Sequence, residues 1–145
     1  MTTHDLILRN ARLLASDAEA TGDLAVTDGK IAAIGEITGD AGTEIDCSCL
    51  VLTHGGVDSH CHIEQMSGMG LLNADTFESA TRSAALGGTT TVVSFAPQMP
   101  GQRMTDAMDD YASAARRGAA IDHAFHMIVC DLNAPNVAED LASLI

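Results

Sequence analysis

Two histidines separated by one residue, His60 and His62, are the side chains of this sequence best suited to chemistry. They close the stretch 55–62, which follows the apolar run 49–52, and this pattern predicts the end of a β-strand. Side chains at positions i and i+2 of a strand lie on one face. Both imidazoles could therefore reach a single metal ion at about 2.0–2.1 Å. Asp58 lies two residues earlier, on the same predicted face.

A bare His-x-His pattern is also compatible with two half-buried strand histidines that bind nothing. The glycine pair Gly55-Gly56, the carboxylate of Asp58 and the strand–helix pattern that follows favour metal binding. We therefore predict His60 and His62 as metal ligands.

The composition argues against several classes of partner. Seven Lys and Arg against 20 Asp and Glu give a net charge of −13. A surface this acidic repels phosphate backbones and anionic membranes, so we expect neither nucleic-acid binding nor membrane binding. No segment approaches the length of a bilayer span, which requires about 20 consecutive apolar residues. Residues 1–5 lack the pattern of a secretory leader, so we expect a cytoplasmic protein. In that compartment we expect reduced, mostly buried thiols at Cys47, Cys49, Cys61 and Cys130.

The residues before position 55 predict a small β-sheet unit. Asp28-Gly29 separates two apolar runs, and this dipeptide is typical of a tight hairpin because a type I′ turn requires positive φ. A small sheet needs a second layer to bury its apolar face. We predict strands over residues 6–10, 24–27, 30–35 and 44–52.

From about residue 55 the pattern changes to alternating strands and helices. The spacing of Asp75 and Glu78 predicts a capping box that opens the first helix, and Gly87-Gly88 predicts its end. Three consecutive strand–helix units imply parallel strands with right-handed crossovers. The predicted strands after the histidines cover 89–95 and 121–130, and the predicted helices cover 75–86, 105–117 and the residues from 136 onward.

These residues together resemble the N-terminal part of the amidohydrolase superfamily, specifically the hydantoinases and dihydropyrimidinases. The resemblance rests on segments 55–64, 73–77 and 86–91. Glu64 favours this branch, because dihydroorotases usually have Arg at that position. The resemblance implies an α/β fold: the N-terminal part of a metal-dependent (β/α)₈ TIM barrel, preceded by a β-sandwich segment. Residues 1–54 would form the sandwich segment and residues 55–145 the first three βα units of an incomplete barrel.

The resemblance also implies a reaction, hydrolysis of a C–N bond in a cyclic amide of the hydantoin or dihydropyrimidine type. Such enzymes hold two divalent metals, usually zinc, bridged by a carbamylated lysine and by hydroxide, and an aspartate of the last barrel strand transfers the proton. The single lysine, Lys30, falls in the predicted hairpin and cannot be that bridge. A barrel needs about 250 residues. We therefore expect this chain to be part of a larger enzyme, with no catalytic residue of its own and no activity alone.

The resemblance further suggests residues that support the metal ligands without binding metal. Asp58, Glu64 and His126 are the candidates, since carboxylates commonly orient metal-bound imidazoles. A hydrogen bond at the strand end for Asp58, and a hydrogen bond within a loop for Glu64, are the alternative roles. Two other functions stay open: a non-catalytic scaffold or assembly protein, and a small zinc-binding module. We expect a small cyclic amide as substrate of the complete enzyme. We also expect a homo-oligomer, or association with the rest of the barrel, because unpaired sheet edges attract partners.

Overall fold

The computed structural model describes residues 4–14, 19–67 and 69–145. Within this described part, the chain splits into two compact units, Met1–His54 and Gly55–Ile145. No helix of the described residues combines the length and the apolar character that a bilayer span requires. Of residues 1–5, on which the expectation about a secretory leader rests, residues 1–3 lie outside the described residues.

The first unit is a β-sheet built around its longest strand. Its elements are β1 (His4–Leu14), β2 (Glu19–Thr27), β3 (Lys30–Gly35), β4 (Ala41–Asp46) and β5 (Val51–Leu52). The order is β3-β2-β1-β4, and β5 also pairs with β1. Strands β1, β2 and β3 are antiparallel neighbours, whereas β4 and β5 run parallel to β1. The predicted hairpin is confirmed, since Asp28 and Gly29 join β2 to β3 with φ of 52° and 70°.

The single strand predicted over residues 44–52 is wrong. The chain leaves the sheet after Asp46, whose Oδ1 accepts from the backbone N and the Oγ of Ser48 at 3.0 and 2.7 Å. The backbone N of Ser48 thus donates to this side chain rather than to a neighbouring strand. A turn begins here, and Cys49 within it has φ of 68°. Propensity alone misses the break, because a short polar side chain competes with the ladder for backbone donors.

All four cysteines lie among the described residues, and all four are free thiols. Their predicted burial is correct only in part. Cys47 is buried, Cys61 is half-buried, and Cys49 and Cys130 are exposed. The turn after Asp46 explains Cys49, since it removes this residue from the predicted strand.

The second unit alternates strands and helices. Its elements are β6 (Gly56–Cys61), α1 (Phe77–Leu86), β7 (Thr89–Pro97), α2 (Met104–Gly118), β8 (Asp122–Ile128) and α3 (Val137–Leu144). The strands form a parallel sheet in the order β6-β7-β8. The predicted α/β class and parallel strand–helix units are confirmed. That these units are the first three of an incomplete (β/α)₈ barrel stays a prediction.

The two faces of this sheet differ in burial. Along β7, the alternate residues Val92, Ser94 and Ala96 are buried, whereas Phe95 between them is half-buried. The buried face packs against the helices in a core of Ile63, Phe77, Val92, Ala96, Tyr111 and Ala115. The side chain of Phe95 therefore projects from the face opposite this core.

The capping residues differ from those predicted. Helix α1 begins at Phe77 with Thr76 as its N-cap, and the capping box joins Thr76 to Ser79 rather than Asp75 to Glu78. Asp75 instead accepts from the Ser79 hydroxyl at 2.7 Å. The box is displaced by one residue because Thr76, with extended backbone, is the last residue before the helical dihedrals.

Candidate metal centre

Strand β6 places the predicted ligands at the carboxyl end of the sheet. His60 lies in the last part of β6, and His62 follows directly after Cys61, the last residue of the strand. Both side chains are exposed, and their ring centroids lie 5.4 Å apart. The expectation that the two imidazoles project together from a strand end therefore agrees with the geometry.

A β-bulge precedes the second histidine. Asp58 pairs with Val92 and Cys61 with Ser94, so β6 uses three steps where β7 uses two. The extra residue falls at positions 59–60 and bends the strand locally. His60 thus lies within the irregular part of β6, where simple alternation does not decide its direction.

Phe95 forms a platform for the histidines on the face opposite the helical core. Among the described residues, three imidazole rings lie against it. His60 is 4.5 Å from the Phe95 centroid, His62 stacks on it at 5.0 Å and 14°, and His126 lies at 4.8 Å. The structure therefore brings His126 to the two predicted ligands, as Phe95 and His126 are register partners on β7 and β8. Sequence reasoning missed Phe95, although alternation along β7 could have placed it on this face.

Buried hydroxyls hold the backbone on both sides of His62. Ser94 Oγ donates to Cys61 O at 3.1 Å and accepts from Ile63 N at 3.3 Å. Tyr111 donates its hydroxyl to Ile63 O and lies 2.7 Å from Ser94 Oγ. Burial raises the pKa of Tyr111, which keeps this hydroxyl protonated as a donor. The peptide groups that flank His62 are thus tied to β7 and α2.

Gln65 contacts the ring of His62 directly. Its Oε1 lies 2.8 Å from His62 Nδ1, and its Nε2 donates to Phe95 O. The backbone of Gln65 is also held, because its N donates to Asn73 Oδ1 at 2.8 Å and its O accepts from Asn73 N at 2.9 Å. The sequence analysis did not identify Gln65, since its contacts with Phe95 and Asn73 are set by the fold rather than by a motif.

The two predicted supporting carboxylates serve the backbone. Asp58 Oδ1 accepts from His60 N at 3.0 Å, which is the strand-end role considered for it. Glu64 Oε2 accepts from Phe77 N at 3.0 Å, and its Oε1 lies 3.6 Å from Arg117 Nη2. A carboxylate at the first residue of α1 stabilises the positive end of the helix dipole. Glu64 thus holds the first residue of α1, and its supporting role at the metal ligands stays a prediction.

Gly55 allows the start of β6 to approach β7. A Cβ atom at this position would lie 2.1 Å from Thr90 Oγ1 and 2.7 Å from Thr90 Cβ. The next residue, Gly56, donates its backbone N to Gly88 O at 2.8 Å. The glycine pair therefore permits the close backbone contact that starts the histidine-bearing strand.

The imidazoles of His60 and His62 can provide two nitrogen ligands to one metal ion. Imidazole nitrogen is a common ligand of zinc and related transition metals. Cys61 is less suited, since burial raises the pKa of its thiol and it packs against the helical core. Within the described ranges, no group of three or more His, Cys, Asp or Glu side chains is arranged to hold a metal. Lys30, the single lysine of the sequence, lies at the start of β3 in the first unit, in the hairpin where the sequence predicted it.

Comparison with known proteins identifies relatives of this chain. No family model matches the chain. The D-hydantoinase of Rhizobium radiobacter is 41 % identical over 127 residues, covering 88 % of this chain and 28 % of that protein. An allantoinase of Escherichia coli O1:K1 / APEC is 43 % identical over 89 residues, covering 61 % of this chain and 19 % of that protein. The crystal structure of dihydropyrimidinase from Brevibacillus agri NCHU1002 matches with a TM-score of 0.87 and 33 % identity, covering 95 % of this chain and 30 % of that chain.

These matches confirm the resemblance found in the sequence. They extend over most of this chain but over less than a third of each relative. The chain is therefore related to the D-hydantoinases and dihydropyrimidinases, and it spans 28 to 30 % of the length of those relatives.

Proposed function

We propose that this chain supplies two ligands, His60 and His62, to the metal centre of a cyclic-amide hydrolase. The observation that carries the proposal is the position of the two rings, 5.4 Å apart on the Phe95 platform at the carboxyl end of β6. Active sites of (β/α)₈ barrels lie at the carboxyl ends of the strands. Relatives named D-hydantoinase and dihydropyrimidinase support hydrolysis of a hydantoin or dihydropyrimidine ring.

In this proposal the described side chains bind and orient. A bound divalent ion, for which zinc is a common partner of imidazole ligands, would polarise the amide carbonyl and lower the pKa of a bound water. His60 and His62 would hold this ion, and the ring of Phe95 packs against both imidazoles. Ser94 and Tyr111 keep the backbone at His62 in place. The remaining ligands, a bridging lysine and the proton-transferring carboxylate would come from further βα units, so this chain alone is inactive.

Unpaired strands in the second unit support the proposed architecture. Among the described strands, β6 and β8 each pair with β7 only. Parallel sheets bury both faces, and the face that carries Phe95 and the histidines packs against no described helix. We propose residues 1–54 as a β-sandwich segment and 55–145 as the first three βα units of a (β/α)₈ barrel. We further propose a cytoplasmic protein that works as a homo-oligomer or with the rest of the barrel.

Zinc binding by the 145-residue chain tests the ligand assignment. Wild type, His60→Ala and His62→Ala are titrated with Zn²⁺ while the histidine side-chain NMR signals are followed. We expect weak binding by wild type and its loss in both variants, because one imidazole alone holds zinc poorly. His123→Ala is the matched control, since His123 lies on β8 beside Phe125, at 5.5 Å between ring centroids, away from the Phe95 platform.

Unchanged zinc affinity in His60→Ala or His62→Ala would remove the basis of the proposal. A second measurement addresses the reaction. The purified chain is incubated with Zn²⁺ and hydantoin or dihydrouracil, and loss of the ring is followed by ultraviolet absorbance. We expect no turnover, and metal-dependent ring opening would contradict the proposed need for further βα units.

A further inference from the structure

We propose that Gln65 is a positioning residue that holds His62 as its Nδ1–H tautomer, so that Nε2 is the atom available to a metal ion. This inference rests on the proposed metal-binding function. It concerns a side chain outside the ligand pair and follows from the hydrogen bonds around a single amide group.

The orientation of the Gln65 amide follows from its partner on β7. The carbonyl oxygen of Phe95 can only accept a hydrogen bond, so the amide group that contacts it must be the NH₂ of Gln65. The amide oxygen Oε1 then points in the other direction, where it lies 2.8 Å from His62 Nδ1. An amide oxygen also accepts only.

The tautomer of His62 follows from that orientation. Since Oε1 of Gln65 cannot donate, Nδ1 of His62 must carry the proton of this hydrogen bond. A neutral imidazole carries one N–H, so its Nε2 keeps a free lone pair. The hydrogen bond made by one ring nitrogen thus decides which nitrogen can bind a metal, as is general for metal-binding histidines.

The position of Gln65 is itself held from several sides. Its backbone exchanges two hydrogen bonds with Asn73, at 2.8 and 2.9 Å, and its side chain ends on Phe95 O. The ring that it contacts is stacked on Phe95 at an interplanar angle of 14°. Gln65 therefore meets His62 with little remaining freedom. His60 has no ring-nitrogen hydrogen bond among the described residues, so the effect is specific to His62.

The first test measures the tautomer in the metal-free chain. Long-range ¹H–¹⁵N NMR at a pH above the ordinary histidine pKa distinguishes Nδ1–H from Nε2–H for each neutral imidazole. The His62 signals are assigned by their absence in His62→Ala. We expect the Nδ1–H form in wild type and its loss in Gln65→Met, which has similar volume but neither donates nor accepts as an amide. A wild-type His62 in the Nε2–H form overturns the inference, whatever the chain does with zinc.

The second test measures zinc affinity. Removing the partner of a metal-bound histidine typically weakens binding about 10- to 100-fold, so we expect at least about tenfold for Gln65→Met. Gln102→Met is the matched control, because the Gln102 side chain binds Met99 N and Asp110 and should leave the affinity unchanged. Equal affinity in wild type and Gln65→Met overturns the inference while leaving the histidine pair intact.

Two further outcomes separate the inference from the proposed function. If wild type shows the Nδ1–H tautomer but binds no zinc, the ligand proposal fails and the Gln65–His62 contact is supported. If far-UV circular dichroism shows that Gln65→Met is unfolded, Gln65→Leu replaces it, since Leu likewise carries no amide. We then expect loss of the Nδ1–H preference in Gln65→Leu, and an unchanged Nδ1–H form in that variant counts against the inference.

Discussion

Ser94 is the side chain whose removal should most disturb the backbone at the histidine pair. It is fully buried, at 0 % exposure, and its Oγ contacts Cys61 O, Ile63 N and the Tyr111 hydroxyl. Ser94→Ala leaves the backbone N–H of Ile63 without this acceptor in a site that excludes water. A buried unsatisfied donor costs about 1–3 kcal/mol, and a lost net hydrogen bond about 0.5–1.5 kcal/mol. We therefore expect the free energy of unfolding to fall by about 1.5–4.5 kcal/mol.

Tyrosine fluorescence gives an assay specific to the second unit. The sequence contains one Tyr, Tyr111, and no Trp, so the signal reports the packing of α2 against β7. Urea unfolding of Ser94→Ala should show a lower midpoint with an unchanged slope. Ser83→Ala is the control, because Ser83 is exposed on α1. Its free energy of unfolding should stay within about 0.5 kcal/mol of wild type. An equally small change in the free energy of unfolding of Ser94→Ala would refute the role given to the Ser94 hydroxyl.

Two further predictions concern stability. Arg103 lowers the pKa of the buried Asp140, so this carboxylate stabilises the fold above about pH 4 and that stability is lost as the pH falls through the lowered pKa. Asp140→Asn should therefore lose less stability than wild type on acidification, measured by urea midpoints at neutral and acidic pH. Gly55→Ala should cost about 1–3 kcal/mol through its clash with Thr90. Gly56→Ala should cost less, since its nearest atom would lie at 3.4 Å; equal costs would contradict the contact.

Local sequence rules predicted the parts of this protein that depend on near neighbours. The Asp28-Gly29 hairpin follows from the positive φ that a tight turn requires, and the alternation of strands and helices after residue 55 follows from hydrophobic period and glycine stops. The pair His60 and His62 was also found from its spacing, although the bulge at positions 59–60 means that alternation alone does not fix the direction of His60. Each of these predictions depends on residues a few positions apart in the chain.

The same rules were least reliable where a polar side chain can make a hydrogen bond to more than one backbone group. Asp46 binds the backbone of Ser48 and ends a strand that continued in the prediction. The capping box uses Thr76 where the spacing favoured Asp75. At the start of α1 two short polar residues, Asp75 and Thr76, are adjacent, and the backbone dihedrals decide which of them makes the capping bond.

The surroundings of the histidines were decided only by tertiary structure. Phe95 and Gln65 meet the histidines at the end of β6, beside the predicted His126, because the register of β6, β7 and β8 and the bulge before His62 place them there. The carboxylate of Glu64, two residues beyond His62, serves α1 instead. The spacing of residues along a strand specifies which face each side chain occupies. Which side chain of another strand lies opposite depends on pairing between segments about 30 residues apart, and no local pattern encodes that register.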